Sequence, residues 1–455
     1  MPLTAERTLK RELGLRDLVL TQILFIVGLG NFGFAARLGA SHAAFWLIAI
    51  VLFYIPLAAV VVHLNRWRPL EGGLYQWAHA AFGDFGGFIV AWNLWVYAMV
   101  LMSQIGIISV TNLSYAIGPS FAWMADSKPV VAAATVALVL GLAMVSLLGL
   151  GIGKWIYNLG GVCVLVLVGA LIAVNFVPHQ RATLSLALPP PTLININILG
   201  KLAFLALSGF EYVAVFAGEC KDPARMITKS VIVSAPIIAA MFIFGTSGVL
   251  AVTDPAQVDL VSPVLQAISV AAKPLALAAH LASVFFVMLL VSRLAQSSIN
   301  FAVNSRLPMV AGWDHLLPAW FTRLHPTRRT PVNSTLVVAA VTLALGLAST
   351  VGTGRQEAFQ LLDSGMGIFY GLTYLAMFAI PILGYASPSA GLRLAAVSGF
   401  GMTLLGVVLA VFPIIDVPNP LSFTVKVGGT VVLANAVGVL IYVWQSRRLR
   451  VKVEE

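Results

Sequence analysis

Charged residues are scarce in this chain of 455 residues: Asp, Glu, Lys and Arg together make up 10% of it, whereas hydrophobic residues make up 60%. A soluble domain carries roughly 25% charged residues. A soluble protein this apolar would expose large hydrophobic patches and associate. The composition therefore excludes a soluble globular domain and predicts an integral membrane protein.

The motifs of several enzyme classes are also missing. The two cysteines, Cys163 and Cys220, give no disulfide framework and no metal-ligand spacing, and no two histidines have H-x-x-x-H spacing. The sequence has no P-loop for ATP and no G-x-S-x-G setting for a nucleophile. We therefore expect no catalytic residue, no metal site and no bound cofactor, and we predict that the protein is not an enzyme.

Long hydrophobic runs are what the sequence has instead. Runs of about 20 apolar residues are typical of membrane-spanning helices, and the alternation of a transmembrane β-barrel is absent. We predict an all-α integral membrane protein in a single membrane domain over residues 1–455. Its twelve spanning helices lie near 18–41, 44–63, 86–115, 130–149, 154–177, 197–217, 230–253, 274–303, 331–350, 358–384, 391–413 and 422–445. The polar loop at 304–330 is expected to hold a short interfacial helix.

The basic residues give the orientation of these helices. The formal net charge is +10, which in a soluble protein would suggest a nucleic-acid partner. Here most Lys and Arg residues fall in short loops on one side of the predicted helices, for example Arg66, Lys221 and Arg306. By the positive-inside rule, both termini are cytoplasmic. We predict a multi-pass protein of the plasma (inner) membrane whose surroundings are lipid, with no nucleic-acid partner.

Two of the predicted helices are interrupted near their centres. The stretch FIVGLGNFGFAARLG at 25–39 places several glycines in helix 1, although each costs up to about 1 kcal/mol in a helix interior. Helix 6 contains Ser208, Gly209 and Glu211 in the stretch LAFLALSGFEYVAVFAGE at 202–219. These helices are five apart, and an odd offset gives them opposite orientations. Two interrupted helices in corresponding positions are typical of an inverted-repeat transporter.

An interruption of this kind has a chemical use. Unwound amides at 28–31, at the positive end of a half-helix, would bind a carboxylate, and freed carbonyls would bind an ammonium group. An α-amino acid carries both groups. The alternative is that these small residues are only packing contacts between helices. Either cluster alone favours packing, whereas two clusters in corresponding positions favour binding.

Four motifs, in order along the chain, resemble those of the amino acid–polyamine–organocation (APC) permeases. The G-x-G break of helix 1 is similar to GLG at 28–30. The segment between helices 2 and 3 is similar to RPLEGGLYQWAHAAFGDFGGFIVAW at 68–92. The helix 6 break and the E-x-x-[DN]-P-x-[KR] motif are similar to SGFEYVAVFAGECKDPAR at 208–225. The loop after helix 8 is similar to SRLPMVAGWDHLLPAWFTRLHPTRRTP at 305–331.

The resemblance implies a 5+5 inverted-repeat, LeuT-like core with broken helices 1 and 6. The first repeat would cover 18–177 and the second 197–384, followed by two additional helices at 391–445. It also implies that the substrate carboxylate meets helix 1 amides and that the amine meets helix 1 and helix 6 carbonyls. The expected substrate-binding residues are Ile26, Gly28, Leu29, Gly30, Asn31, Leu205, Ser208 and Gly209. The chain departs from the family in having no proline soon after the helix 1 break and no lysine in the middle of helix 5.

Four charged residues are predicted to lie within the membrane, where charges are functional candidates. Glu211 and Arg293 are expected to approach the substrate path. They would form a pair that breaks when Glu211 takes a proton, bind the amine and the anionic group of a substrate respectively, or pin helix 6 to helix 8 structurally. The family's basic amine antiporters carry a glutamate at the position of Glu211. Arg37 and Asp363 are candidates for an outer gate.

The sequence thus predicts a secondary active transporter of amino acids working by proton-coupled symport or exchange. The alternative is an antiporter of polyamines or cationic amino acids; a membrane-embedded enzyme and a non-transporting sensor are less favoured. The proton is the expected coupling ion, and sodium remains an alternative because backbone carbonyls can ligate it. A compact cavity suits neutral amino acids, whereas Glu211 suits a cationic one. The oligomeric state is left open.

Overall fold

The computed structural model describes residues 14–68, 73–148, 153–176, 183–211, 222–272, 278–310, 320–321, 323, 325 and 330–454, and the structural statements below refer to these. They form helices and loops and contain no β-strand. The first half of this part comprises α1 (Leu15–Ile26), α2 (Asn31–Ala36), α3 (His42–Ala49), α4 (Ile55–Trp67), α5 (Leu74–Ser103), α6 (Ile105–Ile117), α7 (Trp123–Asp126), α8 (Lys128–Leu148) and α9 (Gly153–Ala173). A π-helical turn at Ile50–Tyr54 joins α3 to α4.

The second half begins with α10 (Leu193–Gly200), which continues as a π-helical segment at Lys201–Ala206. It goes on with α11 (Pro223–Val252), α12 (Pro263–Ala272), α13 (Ala278–Val310), α14 (Val332–Ser349), α15 (Arg355–Ile382), α16 (Ala390–Leu409) and α17 (Pro420–Glu454). The predicted interfacial helix falls mostly on residues outside the described part of the chain.

Local sequence explains several helix ends. The Thr192 hydroxyl accepts from the Asn195 amide at the start of α10, and the Ser389 hydroxyl accepts from the Leu392 amide at the start of α16. Gly118, with φ of 116°, ends α6 in a conformation that disfavours other residues. Gly83, with φ of 71°, kinks α5, so the helix predicted to begin near 86 is preceded by a further helical segment from Leu74.

Nine helical spans in the described residues are long and apolar enough to cross a membrane. They are Gly39–Trp67, Leu74–Ile117, Lys128–Leu147, Asn158–Phe176, Arg225–Val252, Val332–Ser349, Arg355–Ile382, Ala390–Leu409 and Pro420–Arg447. Predicted helices 1, 6 and 8 are absent from that set. Predicted helix 1 is divided into the two short helices α1 and α2, and predicted helix 6 is represented by the short apolar segment Leu193–Ala206. Predicted helix 8 is present as the long helix α13, which contains the apolar segment Ser283–Ser298.

Each long helix packs against several others. Helices α5, α6, α8, α13 and α14 contact one another, and α15 packs along α5 and α16. Helix α1 packs against α9 and α11, and the buried Gln22 amide donates to the Ser230 hydroxyl of α11 at 3.0 Å. Satisfying a buried amide between helices fixes their relative placement because an unpaired group in lipid is costly.

Candidate functional site

Helical winding stops between α1 and α2. The amide of Gly28 donates to the carbonyl of Ile26 at 2.8 Å, and the amide of Asn31 donates to the carbonyl of Gly28 at 3.0 Å. The amides of Leu29 and Gly30 have no acceptor among the described residues. These two donors lie at the N-terminal end of α2, where the helix dipole also favours an anion.

A second interruption follows the π-helical segment of α10. Residues 207–211 are not helical, and Gly209 has φ of 128°. A Cβ added there would lie 2.9 Å from Cγ1 of Ile26, so this turn touches the last residue of α1. The Gly209 amide donates to the Tyr374 hydroxyl of α15 at 2.9 Å. The two interruptions and α15 therefore meet at one place.

A cavity opens beside these turns. Of the residues predicted for the site, eight line it: Ile26, Gly28, Gly30, Asn31, Leu205, Ser208, Arg293 and Asp363. The cavity is also lined by Tyr97 of α5, by Gln104 at the junction of α5 and α6, and by Tyr370 of α15. Leu29, Gly209, Glu211 and Arg37 do not line it.

Glu211 is buried behind this cavity. Its two carboxylate oxygens accept hydrogen bonds from the hydroxyls of Tyr370 and Tyr374, and those two hydroxyls are 3.2 Å apart. The ring of Tyr370 stacks on that of Tyr97, with centroids 4.2 Å apart. Tyr370 is thus the side chain between Glu211 and the cavity. The structure contains no Glu211–Arg293 pair, one of the arrangements considered from sequence.

Arg293 lies on α13 and faces the cavity. Its Nη1 is 3.5 Å from Oε1 of Gln296, and its Nε is buried without a partner. The Gln296 amide donates to the Leu24 carbonyl in the last turn of α1 at 3.0 Å. Gln296 therefore connects the guanidinium group to α1, and no described carboxylate pairs with Arg293.

The two residues predicted as an outer gate have separate partners. Arg37 donates to the carbonyls of Ala256 and Val258, at 3.1 and 3.2 Å. Asp363 accepts from Lys201 Nζ at 2.9 Å. The two gate candidates therefore do not contact each other in this structure: Arg37 donates to backbone carbonyls, and Asp363 pairs with Lys201.

Lys201 is a residue that sequence reasoning missed. Its side chain is 4% exposed, pairs with Asp363, lies 3.3 Å from the Ser364 hydroxyl and sits 4.9 Å from the centre of the Phe34 ring of α2. The pair joins α10, α15 and α2 at the cavity wall. The sequence did contain an indication that Lys201 is buried. Lys201 lies within an apolar stretch, two turns after Leu193, where α10 starts.

The helices and their fold first define the class of protein: a multi-pass membrane protein with the LeuT fold. The structure is similar to the crystal structure of MhsT in complex with L-phenylalanine, with a TM-score of 0.64 and 15% identity, covering 88% of this chain and 99% of that one. The sequence pattern described as "Amino acid permease" matches residues 13–445, so the chain belongs to the amino acid permease family.

Two relatives place the chain among known transporters. An uncharacterized transporter of Legionella pneumophila is 26% identical over 423 residues, covering 86% of this chain and 87% of the relative. The branched-chain amino acid permease BcaP of Bacillus subtilis is 26% identical over 390 residues, covering 79% and 81%. The predicted family is confirmed. The protein is a transporter and not an enzyme.

Proposed function

We propose that this protein is a secondary active transporter of amino acids that works by alternating access, as a proton symporter or an exchanger. The observation that carries this proposal is the cavity beside two non-helical turns, at 27–30 and 207–211, which offer peptide groups to a ligand. The permease family and the branched-chain amino acid permease among its relatives support an amino acid as the substrate.

The substrate would bind to these turns by its two charged ends. The free amides of Leu29 and Gly30 would hold the α-carboxylate, and the Gly28 amide would join them once it leaves the Ile26 carbonyl. That carbonyl, together with those of Leu205 and Ser208, would then accept from the ammonium group. Asn31 and Gly209 would shape the site.

The architecture that we propose has twelve spanning helices. In it, α1 and α2 form one discontinuous helix, and α10 forms the first half of another. Residues 18–177 and 197–384 would be two inverted repeats, and 391–445 would add two helices. The clustering of basic residues in loops on one side supports cytoplasmic termini and a plasma (inner) membrane location.

Glu211 is the proposed proton-coupling residue. When ionised, its carboxylate accepts from both tyrosines. When protonated, it becomes a donor, so one tyrosine hydroxyl must turn away and find another acceptor. Since Tyr370 also lines the cavity, a proton on Glu211 would change the hydrogen bonding offered to the substrate.

The Glu211→Gln variant tests this role. In proteoliposomes, we expect a pH gradient to drive amino acid accumulation by the wild type and not by Glu211→Gln, while counterflow exchange persists in both. Glu357→Gln, a matched change in the first turn of α15 away from the cavity lining, should behave as wild type. Uptake that follows a sodium gradient instead, or undiminished pH-driven uptake by Glu211→Gln, would remove Glu211 from the coupling step.

A further inference from the structure

Arg293 is the cation that lines the cavity, and the described residues leave it without a carboxylate partner. Lys201 is paired with Asp363, and Arg355 is paired with Asp126 and Asp259. A charge within a membrane protein is costly unless it is paired or solvated. Because Lys201 and Arg355 are both paired with carboxylates, the lack of a described carboxylate beside Arg293 indicates that its charge has another use.

The guanidinium group is also held in place with its donors available. Arginine has five N–H donors, and one nitrogen, Nη1, contacts Gln296 at the long distance of 3.5 Å. Gln296 is itself anchored on the Leu24 carbonyl of α1. Arg293 and Asn300 both line the main cavity and a small adjoining one. The group is therefore positioned between two cavities.

The remaining acidic groups around the cavity are already engaged. Asp363 is bound to Lys201, and Glu211 is held by two tyrosines behind the cavity wall. Neither carboxylate contacts Arg293, so the charge of its guanidinium group has no partner at the cavity. An anion supplied by a ligand would balance it, and a planar guanidinium binds a carboxylate in a bidentate manner.

We propose that Arg293 binds the side-chain carboxylate of an acidic amino acid, the α-carboxylate of which occupies the helix 1 turn. This inference rests on the proposed function and deepens it. It replaces the neutral substrate that a compact cavity favours on sequence grounds with L-glutamate or L-aspartate. A small inorganic anion would offer the same charge from a different source, and the test separates the two.

The test compares acidic amino acids with their amides, which match them in size and differ in charge. We expect L-glutamate or L-aspartate to stabilise the purified full-length protein thermally at about 30-fold lower concentration than L-glutamine or L-asparagine, because a close charge pair at an interface contributes on the order of 2 kcal/mol. Titration with KCl should give no comparable effect. Equal potency of acid and amide, or stabilisation by KCl alone that acidic amino acids do not increase, would overturn the proposal.

Variants assign the effect to the side chain. Arg293→Gln should abolish the preference for the acid and keep or improve binding of the amide, and Arg293→Lys should retain part of the preference. Lys426→Gln removes a positive charge from an exposed site on α17 and should change neither. Loss of all ligands equally in both Arg293 variants would assign Arg293 a structural role and overturn the proposal.

The outcome also separates this inference from the proposed function. If amino acids with apolar side chains stabilise the protein better than both the acids and their amides, the proposed transport of amino acids stands and the proposed role of Arg293 is wrong. If no amino acid in the panel stabilises the protein or is taken up by proteoliposomes, the proposed function itself fails.

Discussion

Removing either partner of the Lys201–Asp363 ion pair should destabilise the folded protein by several kcal/mol, whereas removing both should cost much less. Its atoms are 2.9 Å apart, and the two side chains are 4% and 7% exposed. Removing one partner leaves the other charged and buried, which costs about 3–5 kcal/mol. The Phe34 ring beside Lys201 adds a cation–π contact that depends on the ammonium group.

The perturbation is a double-mutant cycle of Lys201→Met, Asp363→Asn and the two combined. Each single variant should unfold more easily, and the double variant should be much less affected than the sum of the singles, because it leaves no unpaired charge. For a chain of this size, about 1 kcal/mol moves the Tm by about 2 °C or less, so each single should lower it by at most roughly 6–10 °C.

The assay is thermal unfolding in detergent, read as apparent Tm without ligand. Lys426→Met is the control, since it makes the same change at an exposed position on α17 and should shift stability by less than about 0.5 kcal/mol. If the effects of the two single variants simply add in the double, or if neither exceeds the control, the pair does not hold α10 against α15 and the reasoning is refuted.

Two other substitutions should report on the loops around the cavity. Gly209→Ala should reduce both stability and transport, since its φ of 128° disfavours a side chain and the new Cβ would press on Ile26. The control for the same assays is Gly169→Ala, because a Cβ added there meets nothing within 4 Å. Wild-type behaviour of Gly209→Ala would show that the turn relaxes freely. Arg355→Gln should lower the Tm by the equivalent of about 1–3 kcal/mol, because the buried Asp259 loses its charged partner at 2.7 Å but keeps its Tyr115 and amide donors. An unchanged Tm would mean that those donors alone are sufficient.

Most of the fold could be predicted from the composition and from the positions of the glycines. Runs of apolar residues predict helices because lipid leaves the backbone no other partner, and the family resemblance supplied the LeuT arrangement that the structure shares with MhsT. The first and last residues of individual helices were less predictable. The helix predicted from 86 begins at Leu74, because a kink at Gly83 allows an additional segment to continue it.

The partners of charged residues were not predictable, since they depend on helix rotation. The sequence identified Glu211 and Arg293 as intramembrane charges but gave no sign that Tyr370 and Tyr374 would hold the carboxylate. Lys201 was overlooked because it lies close to the start of a predicted helix, where a lysine can normally reach water. Only the packing of α10 against α15 buries it.

The short turn between α1 and α2 has a consequence for turnover. In this turn the Gly28 amide donates to the Ile26 carbonyl at 2.8 Å. A ligand that uses both must first break this bond, which lowers its affinity by about 1 kcal/mol, or roughly fivefold. The same bond can re-form as the ligand departs, so the Ile26 carbonyl and the Gly28 amide are not left unpaired in a low-dielectric interior. A transporter must release its substrate as readily as it binds it, and a turn that re-forms its own hydrogen bond favours release.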